Sequence, residues 1–381
     1  MTTYLSDKTE TMTEKICLID NIGTYYRFPI YDLMGREMGC EFYFGDHIDT
    51  EIKKLDYDKL IGFKGELRNV FFGKFYWQCG SIGVLRKPYK YYILPGEPFC
   101  LSSWVMLIIA RFTGKKIISW SHGWYGRENF VKRIIKKWYY SLFDFLMIYS
   151  DYSIETMVKA GFKRERMMCI ANSLDSDKHK ALRSTLKETE KYTSYFKNQN
   201  PTIIYCGRIQ KRKKLEQILE AVALLKEQGQ LVNAVFVGKD VDGVNLAALA
   251  ETLGVSDLVW EYGPCYNDEE IAELFYNASV CVSPGNVGLT AIHALSFGCP
   301  SITHDDFPYQ MPEFEAIRPG VTGDFFHEDD IRDLADKISK WTKIDTRKKQ
   351  SVREAAFKEI DTKWNIHYQI NVIKTVINKL T

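Results

Sequence analysis

Apolar positions along the chain alternate between short continuous runs and longer stretches at helical spacing. Lys15 to Asp20, Tyr91 to Leu94, Lys116 to Ser119, Leu146 to Tyr149, Thr202 to Cys206 and Ser279 to Val282 are runs of four to six residues. Runs of that length without polar alternation predict strands buried on both faces, as in parallel sheets. After the Thr202 to Cys206 run, Leu215, Ile218, Leu219, Ala221, Val222 and Leu225 fall on one helical face. After Ser279 to Val282 the chain breaks at Pro284-Gly285, and a helix is predicted from about Leu289 until Gly298-Cys299-Pro300 stops it. Asn21-Ile22-Gly23 turns the first strand into a helix opening near Tyr25 to Tyr31. Strand followed by helix, repeated in both halves, predicts an α/β protein with parallel sheets.

Two further helical patterns stand apart. Trp364 to Leu380 places Ile366, Ile370, Val372, Ile373, Val376 and Ile377 near helical spacing. Between Arg127 and Phe143, Phe130, Val131, Ile134, Ile135 and Trp138 form one face, and Lys132, Arg133, Lys136 and Lys137 the other. Such a helix either packs its apolar face on the core with a wet basic side, or rests on an anionic membrane. Arg86-Lys87-Pro88-Tyr89-Lys90-Tyr91 adds basic and aromatic character of the same kind.

With 381 residues, two domains of about 180 are expected rather than one overgrown core. The polar, charged stretch Ser184 to Gln199 is the natural boundary between them. A net charge of +2 argues against nucleic acid as the main partner. The 45% apolar and 14% aromatic content excludes disorder. Nine cysteines lie scattered, without zinc-ligand spacing and mostly in apolar contexts such as Ile16-Cys17-Leu18, which predicts a reduced cytoplasmic chain. Met1 to Thr13 is polar, so no signal peptide is expected, and the run Trp104 to Ala110 is far too short to span a bilayer.

The candidate chemistry lies at two strand ends. A glycine-containing turn, Asn286-Val287-Gly288, feeds the helix opening at Leu289 and Thr290. Unpaired amides there, with the positive end of the helix dipole, make a seat for phosphate. The run Gly207-Arg208-Ile209-Gln210-Lys211-Arg212-Lys213-Lys214 holds five basic side chains in seven residues, directly after a strand. Open α/β sheets bind ligands at that end, and arginine and lysine suit phosphate oxygens.

The order of these segments resembles glycosyltransferase family 4. Gly207-Arg208 with Lys213, then Ala234-Val235-Phe236-Val237-Gly238-Lys239, Val259-Trp260-Glu261-Tyr262-Gly263, Ser283-Pro284 and Gly298-Cys299-Pro300 follow the family's succession. The resemblance implies the GT-B fold, with two Rossmann-like domains whose parallel sheets face a central cleft. Residues 1–180 would form the acceptor domain and 181–362 the donor domain, with 363–381 a helix packing back on the first. Arg208 and Lys213 would hold the donor diphosphate, with the Asn286-Val287-Gly288-Leu289-Thr290 turn, while Tyr262 and Tyr266 border the base. Gly23 would approach the diphosphate or the acceptor, and His122, in Ser121-His122-Gly123, would lie near the donor sugar.

This chain departs from the family at two places. The usual glutamates, eight positions apart, are replaced by Gly285 and His293. His293 is either a structural residue or a hydrogen-bond partner of the ribose or diphosphate. Glu313 or Glu315 either supplies the missing carboxylate or is a surface acid opening a helix. Ser173 also stands where a glycine is usual in Asn172-Ser173-Leu174. No Asp-x-Asp dyad occurs in a suitable loop, and the resemblance implies metal-independent transfer, with the nucleotide sugar as donor and no other cofactor. A glycan or lipid-linked glycan in surface polysaccharide or glycoconjugate synthesis is the expected acceptor. The alternatives are a catalytically silent sugar-nucleotide-binding subunit, or an epimerase or phosphorylase on the same fold.

Overall fold

The computed structural model describes residues 15–48 and 52–381; the polar Met1 to Thr13 stretch lies outside them. The chain divides into two compact units. The first holds the described residues up to Trp124, Glu128–Ile170 and Ile370–Thr381; the second holds Tyr125–Arg127 and Ala171–Gln369.

Eight strands build the first unit: β1 (Ile16–Asp20), β2 (Glu41–Gly45), β3 (Phe63–Phe72), β4 (Phe75–Cys79), β5 (Tyr91–Pro95), β6 (Lys116–Ser121), β7 (Phe145–Ile148) and β8 (Met167–Cys169). They form one sheet in the order β4-β3-β2-β1-β5-β6-β7-β8. Every pairing between these strands is parallel except β3 with β4, a hairpin in register from Arg68 opposite Cys79 to Phe72 opposite Phe75. The central strands are apolar on both faces because helices cover both; Cys17, Leu18, Tyr92, Ile93 and Ile118 are all buried. The helix Ile366–Leu380 contributes Ile370 onward to this unit, with Ile373, Val376 and Ile377 buried.

Six strands build the second unit: β9 (Thr202–Cys206), β10 (Asn233–Val237), β11 (Val259–Gly263), β12 (Val280–Ser283), β13 (Ser301–His304) and β14 (Gly323–Phe326). Their order is β11-β10-β9-β12-β13-β14, with all pairings parallel. Ile218, Leu219, Val222 and Leu225 on the helix Glu216–Glu227 pack one face of this sheet with Phe236, Val282 and Trp341. Trp341 also donates its indole N–H to Asp324 at 2.8 Å, which satisfies the polar edge of an otherwise apolar side chain.

Two sequence expectations need correcting. The stretch Ser184 to Gln199 is largely exposed, but it is not the boundary between the units. It lies inside the second unit and forms the helix Lys191–Phe196, where buried Tyr192 donates to the Leu274 carbonyl at 2.6 Å. The reading of the helix Phe130–Ser141 as core-facing also fails, because Phe130 is 76% exposed, Val131 63% and Trp138 69%. Only Tyr139 and Tyr140, at its end, are buried. No helix among the described residues is long and apolar enough to cross a membrane.

Candidate functional site

In the second sheet the strand order reverses direction between β9 and β12. From β9 the chain steps outward to β10 and β11, and from β12 it steps the other way to β13 and β14. The loops leaving β9 and β12 therefore part, and the crevice at their carboxyl ends is where open α/β sheets take ligands. Gly207 to Lys214 leaves β9, and Pro284 to Leu289 leaves β12. The topology thus brings together the two segments singled out in the sequence.

Their backbones are locked to each other. Gly285 donates its N–H to the Lys213 carbonyl at 2.9 Å. A Cβ at Gly285 would lie 2.4 Å from the Arg212 carbonyl oxygen and 2.8 Å from the Lys213 Cα. The place of the family's first glutamate is filled by the main chain of the basic turn, so no side chain fits there with the turn as it stands. Lys213 Nζ reaches back across the junction to the Asn286 carbonyl at 2.5 Å and to Asn286 Oδ1 at 2.7 Å. Burial, reinforced by Arg212, lowers the Lys213 pKa to about 8, while Glu313 acts in the opposite direction. The Arg208 side chain is exposed, and its carbonyl accepts from the Tyr205 hydroxyl at 2.9 Å.

The turn itself is braced from β13. Val287 N–H donates to Gln310 Oε1 at 2.9 Å, so that amide is already engaged. Gln310 Nε2 in turn reaches Thr303 Oγ1 at 2.8 Å and the His304 carbonyl at 3.1 Å. The Thr303 hydroxyl lies 2.9 Å from the Ser283 carbonyl and 3.0 Å from that of Gly285. Gly288 follows with φ 55° and ψ −150°, in the left-handed half of backbone space that glycine tolerates best. It opens the helix Leu289–Ser296, whose first turn has no side-chain cap. Thr290 fixes that helix to β9 through its hydroxyl, 3.0 Å from the Cys206 carbonyl. An uncapped first turn beside two cationic side chains suits an anion.

The remaining predicted residues are more dispersed. Glu313 is buried and accepts from Asn172 Nδ2 at 2.7 Å, so it is no surface acid. Its influence on Lys213 puts a carboxyl within electrostatic range of the cation. His293 is packed in an aromatic box: its ring centroid lies 5.1 Å from His179, 5.2 Å from Phe275 and 5.5 Å from Phe297. Burial, then repulsion from His179, lowers its pKa to about 3, and its Nε2 is buried without a hydrogen-bond partner. These surroundings fit the structural reading of His293. Tyr262 ends β11, two strands from β9, about 10 Å away across the sheet. Its hydroxyl donates to Glu270, and Trp260 packs 4.8 Å from its ring.

Gly23 and His122 belong to the first unit. Gly23 does not present a free amide: its N–H donates to the Tyr57 hydroxyl at 3.0 Å, and a Cβ would lie 2.6 Å from that ring. Close packing, rather than a ligand, accounts for glycine there. His122 follows β6 with its ring 4.8 Å from Tyr149. Burial foremost, then Arg27 and Lys136, bring its pKa down to about 4, so the imidazole is neutral at pH 7. Around it lies a polar group that the sequence reading passed over. Asp20 ends β1 and pairs with Arg27 at 3.5 Å, Arg27 donates to the Tyr149 hydroxyl, and Glu97 accepts from Asn21 and Tyr76 at 3.0 Å each. Burial raises both carboxyl pKa values, with Arg27 opposing it at Asp20. Asp20 and Glu97 flank β1 and β5, where this sheet's strand order reverses.

Two Rossmann-like sheets, each with polar side chains at its switch point, define a doubly wound α/β protein. Residues 187–359, most of the second unit, match the family described as Glycosyl transferases group 1. Two curated relatives bear glycosyltransferase names. EpsD of Bacillus subtilis (strain 168) is 26% identical over 230 residues, 56% of this chain and 57% of its own. A D-inositol 3-phosphate glycosyltransferase of Streptomyces coelicolor is 32% identical over 152 residues, 35% of this chain and 32% of its own. This chain thus spans little more than half of the first relative and about a third of the second. Among solved structures, HepE of Anabaena in complex with UDP aligns with a TM-score of 0.71 at 16% identity, over 96% of this chain and 100% of that one. The lipopolysaccharide outer core galactosyltransferase WaaB aligns with a TM-score of 0.69 at 14% identity, over 96% and 99%. The likeness in structure shows the GT-B fold, and the match in sequence over residues 187–359 is to Glycosyl transferases group 1.

Proposed function

We propose that the protein is a retaining glycosyltransferase that takes its sugar from a nucleoside-diphosphate donor and passes it to a glycan or lipid-linked glycan. The observation that carries this reading is the Lys213–Asn286–Gly285 junction at the β9/β12 switch point, with Arg208 exposed beside it. In this reading Arg208, Lys213 and the amides of Leu289 and Thr290 take up the charge that grows on the leaving diphosphate. The sugar C1–O bond to the diphosphate breaks, the acceptor oxygen bonds to C1 from the same face, and the acceptor proton passes to the departing phosphate oxygen. Glu313 serves as the carboxyl that balances Lys213, a partial replacement for the glutamate that Gly285 excludes. His122, neutral at pH 7, acts as a hydrogen-bond partner of the sugar rather than as an acid. The reaction as proposed uses no resident metal.

UDP is the first nucleotide to try, since HepE is similar in fold and was solved with it. Calorimetric titration with UDP and a panel of nucleotide sugars, repeated with Arg208→Ala and Lys213→Ala, tests the reading. Each substitution is expected to weaken binding about tenfold or more, the worth of a charge-assisted phosphate contact. Binding and turnover that survive both changes, or no response to any nucleotide sugar, would refute it. A silent binding subunit is the second reading, favoured by one observation: the main chain occupies the site of a signature glutamate. Donor binding with no hydrolysis or transfer across an acceptor panel would select it.

A further inference from the structure

The first unit presents an extended exposed apolar surface. The helix Phe130–Ser141 starts at Asn129, whose side chain caps the Lys132 amide at 3.0 Å, and stands out in solvent along most of its length. Its apolar face, Phe130, Val131, Ile134, Ile135 and Trp138, is exposed throughout. The neighbouring helix Leu101–Thr113 does the same: Leu101, Ile108 and Phe112 share one side and are exposed, Phe112 by 86%. Trp104 packs 4.9 Å from Tyr139, and Arg111 donates to the Ser141 carbonyl at 2.9 Å, so the two helices adjoin. The β3–β4 hairpin continues the surface, with exposed Phe72 and Phe75 either side of its Gly73-Lys74 tip and Phe75 packed 5.9 Å from Phe99.

Charge distinguishes this surface from an ordinary protein contact. Within the first unit, Pro98–Trp124 and Glu128–Phe143 carry seven Lys and Arg residues and a single acid, Glu128; one of the seven, Lys116, pairs with Asp144 at 3.5 Å. Glu128 is almost covered and is paired with Lys136 at 2.7 Å. Large apolar side chains interleaved with an excess of cations match a bilayer with anionic headgroups: the apolar groups enter the interface and the cations stay at the phosphate level.

We propose that this surface docks the protein on an anionic membrane, with the helix Phe130–Ser141 lying in the interface and the Phe112 and Phe72–Phe75 side chains entering beside it. Docking rests on the exposed side chains alone and does not require the transferase reading.

The test is co-sedimentation of the full chain with vesicles of phosphatidylcholine, pure or containing about one-third phosphatidylglycerol. Binding is expected to the anionic vesicles and to fall steeply with added salt. Ile135→Ser with Trp138→Ser should weaken it about 100-fold, from the apolar area withdrawn. Lys132→Gln with Arg133→Gln should weaken it roughly 30-fold. Phe72→Ser with Phe75→Ser should weaken it less than the helix pair but measurably. All these side chains are exposed, so unchanged thermal unfolding and unchanged UDP binding are expected and separate docking from folding and from the donor site. No binding to anionic vesicles overturns the proposal. So does a self-associated protein that the Ile135/Trp138 variant turns monomeric, which would make a second copy the occupant.

Discussion

Gly285→Ala is the sharpest probe of the junction between the two strand-end segments. The new Cβ would sit 2.4 Å from the Arg212 carbonyl oxygen and 2.8 Å from the Lys213 Cα, both backbone atoms that cannot rotate away. Reaching ordinary contact requires the turns to part by about 1 Å, an overpacking cost of about 1–3 kcal/mol. Parting also stretches the Gly285 N–H bond to Lys213, 2.9 Å in the native junction, for about 1 kcal/mol more. The sum, about 2–4 kcal/mol, lowers the melting temperature of a unit of this size by roughly 5–15 °C. Gly83→Ala is the control, since a Cβ there meets nothing within 4 Å and the backbone is helical. Differential scanning calorimetry gives the stability, and UDP titration shows whether displacing Lys213 also costs affinity. A Gly285→Ala protein that melts with wild type and binds UDP equally well would refute the argument that the main chain occupies this position.

Four other outcomes follow from the same structure. Because Lys213 has a pKa near 8, its charged fraction falls as pH rises from 7 to 9; UDP affinity should fall with it by up to about tenfold, and Lys213→Met should flatten the profile. His293 and His179 have pKa values near 3 and 4, below their ordinary 6.5. The unfolded chain therefore binds more protons below pH 6.5, and stability should drop as pH falls, by about 1.5 kcal/mol per histidine between pH 6.5 and 5; denaturant titrations of His293→Phe should show a smaller acid loss. Ala171 has φ 55°, so Ala171→Gly should raise stability by about 1 kcal/mol in denaturant unfolding. Gln369→Ala, which removes bonds to the Ala171 carbonyl at 3.0 Å and Ser173 Oγ at 2.6 Å, should lower it by about 2 kcal/mol.

Six of the inner strands were legible because strands covered on both faces leave unbroken apolar runs, and β1, β5, β6, β7, β9 and β12 all carry one, while inner β2 was not read. The hairpin of β3 and β4 was not, since Lys64, Glu66 and Arg68 interrupt it on the exposed side and no short turn dipeptide of the usual kind announces it. The basic turn and the glycine turn were visible as sequence, but their mutual fit was not. Nothing in the spacing says that Gly285 is a glycine because Lys213 lies against it. Gln310 and Thr303, which brace the turn, left no signal, as a buried amide in a loop has no periodicity. The surroundings of His293 left no signal for the same reason: its box is assembled from Phe275, Phe297 and His179, and His179 lies more than 100 residues earlier.

The bonds of Gln369 to Ala171 and Ser173 have a consequence for biosynthesis. They join the two ends of Ala171–Gln369, the segment that makes up all of the second unit except Tyr125–Arg127. It can complete itself as soon as Gln369 leaves the ribosome. The first unit cannot, because its last piece, Ile370–Thr381, is made after everything else. Thr381 meets the Tyr91 hydroxyl at 2.8 Å and Lys374 pairs with Glu37 at 2.6 Å, so the eight-stranded sheet waits for a partner some 200 residues downstream of β8. At about 5–20 residues per second that is roughly 10–40 s with apolar surface uncovered. A released chain truncated after Gln369 should carry a protease-resistant second unit and a protease-sensitive first one.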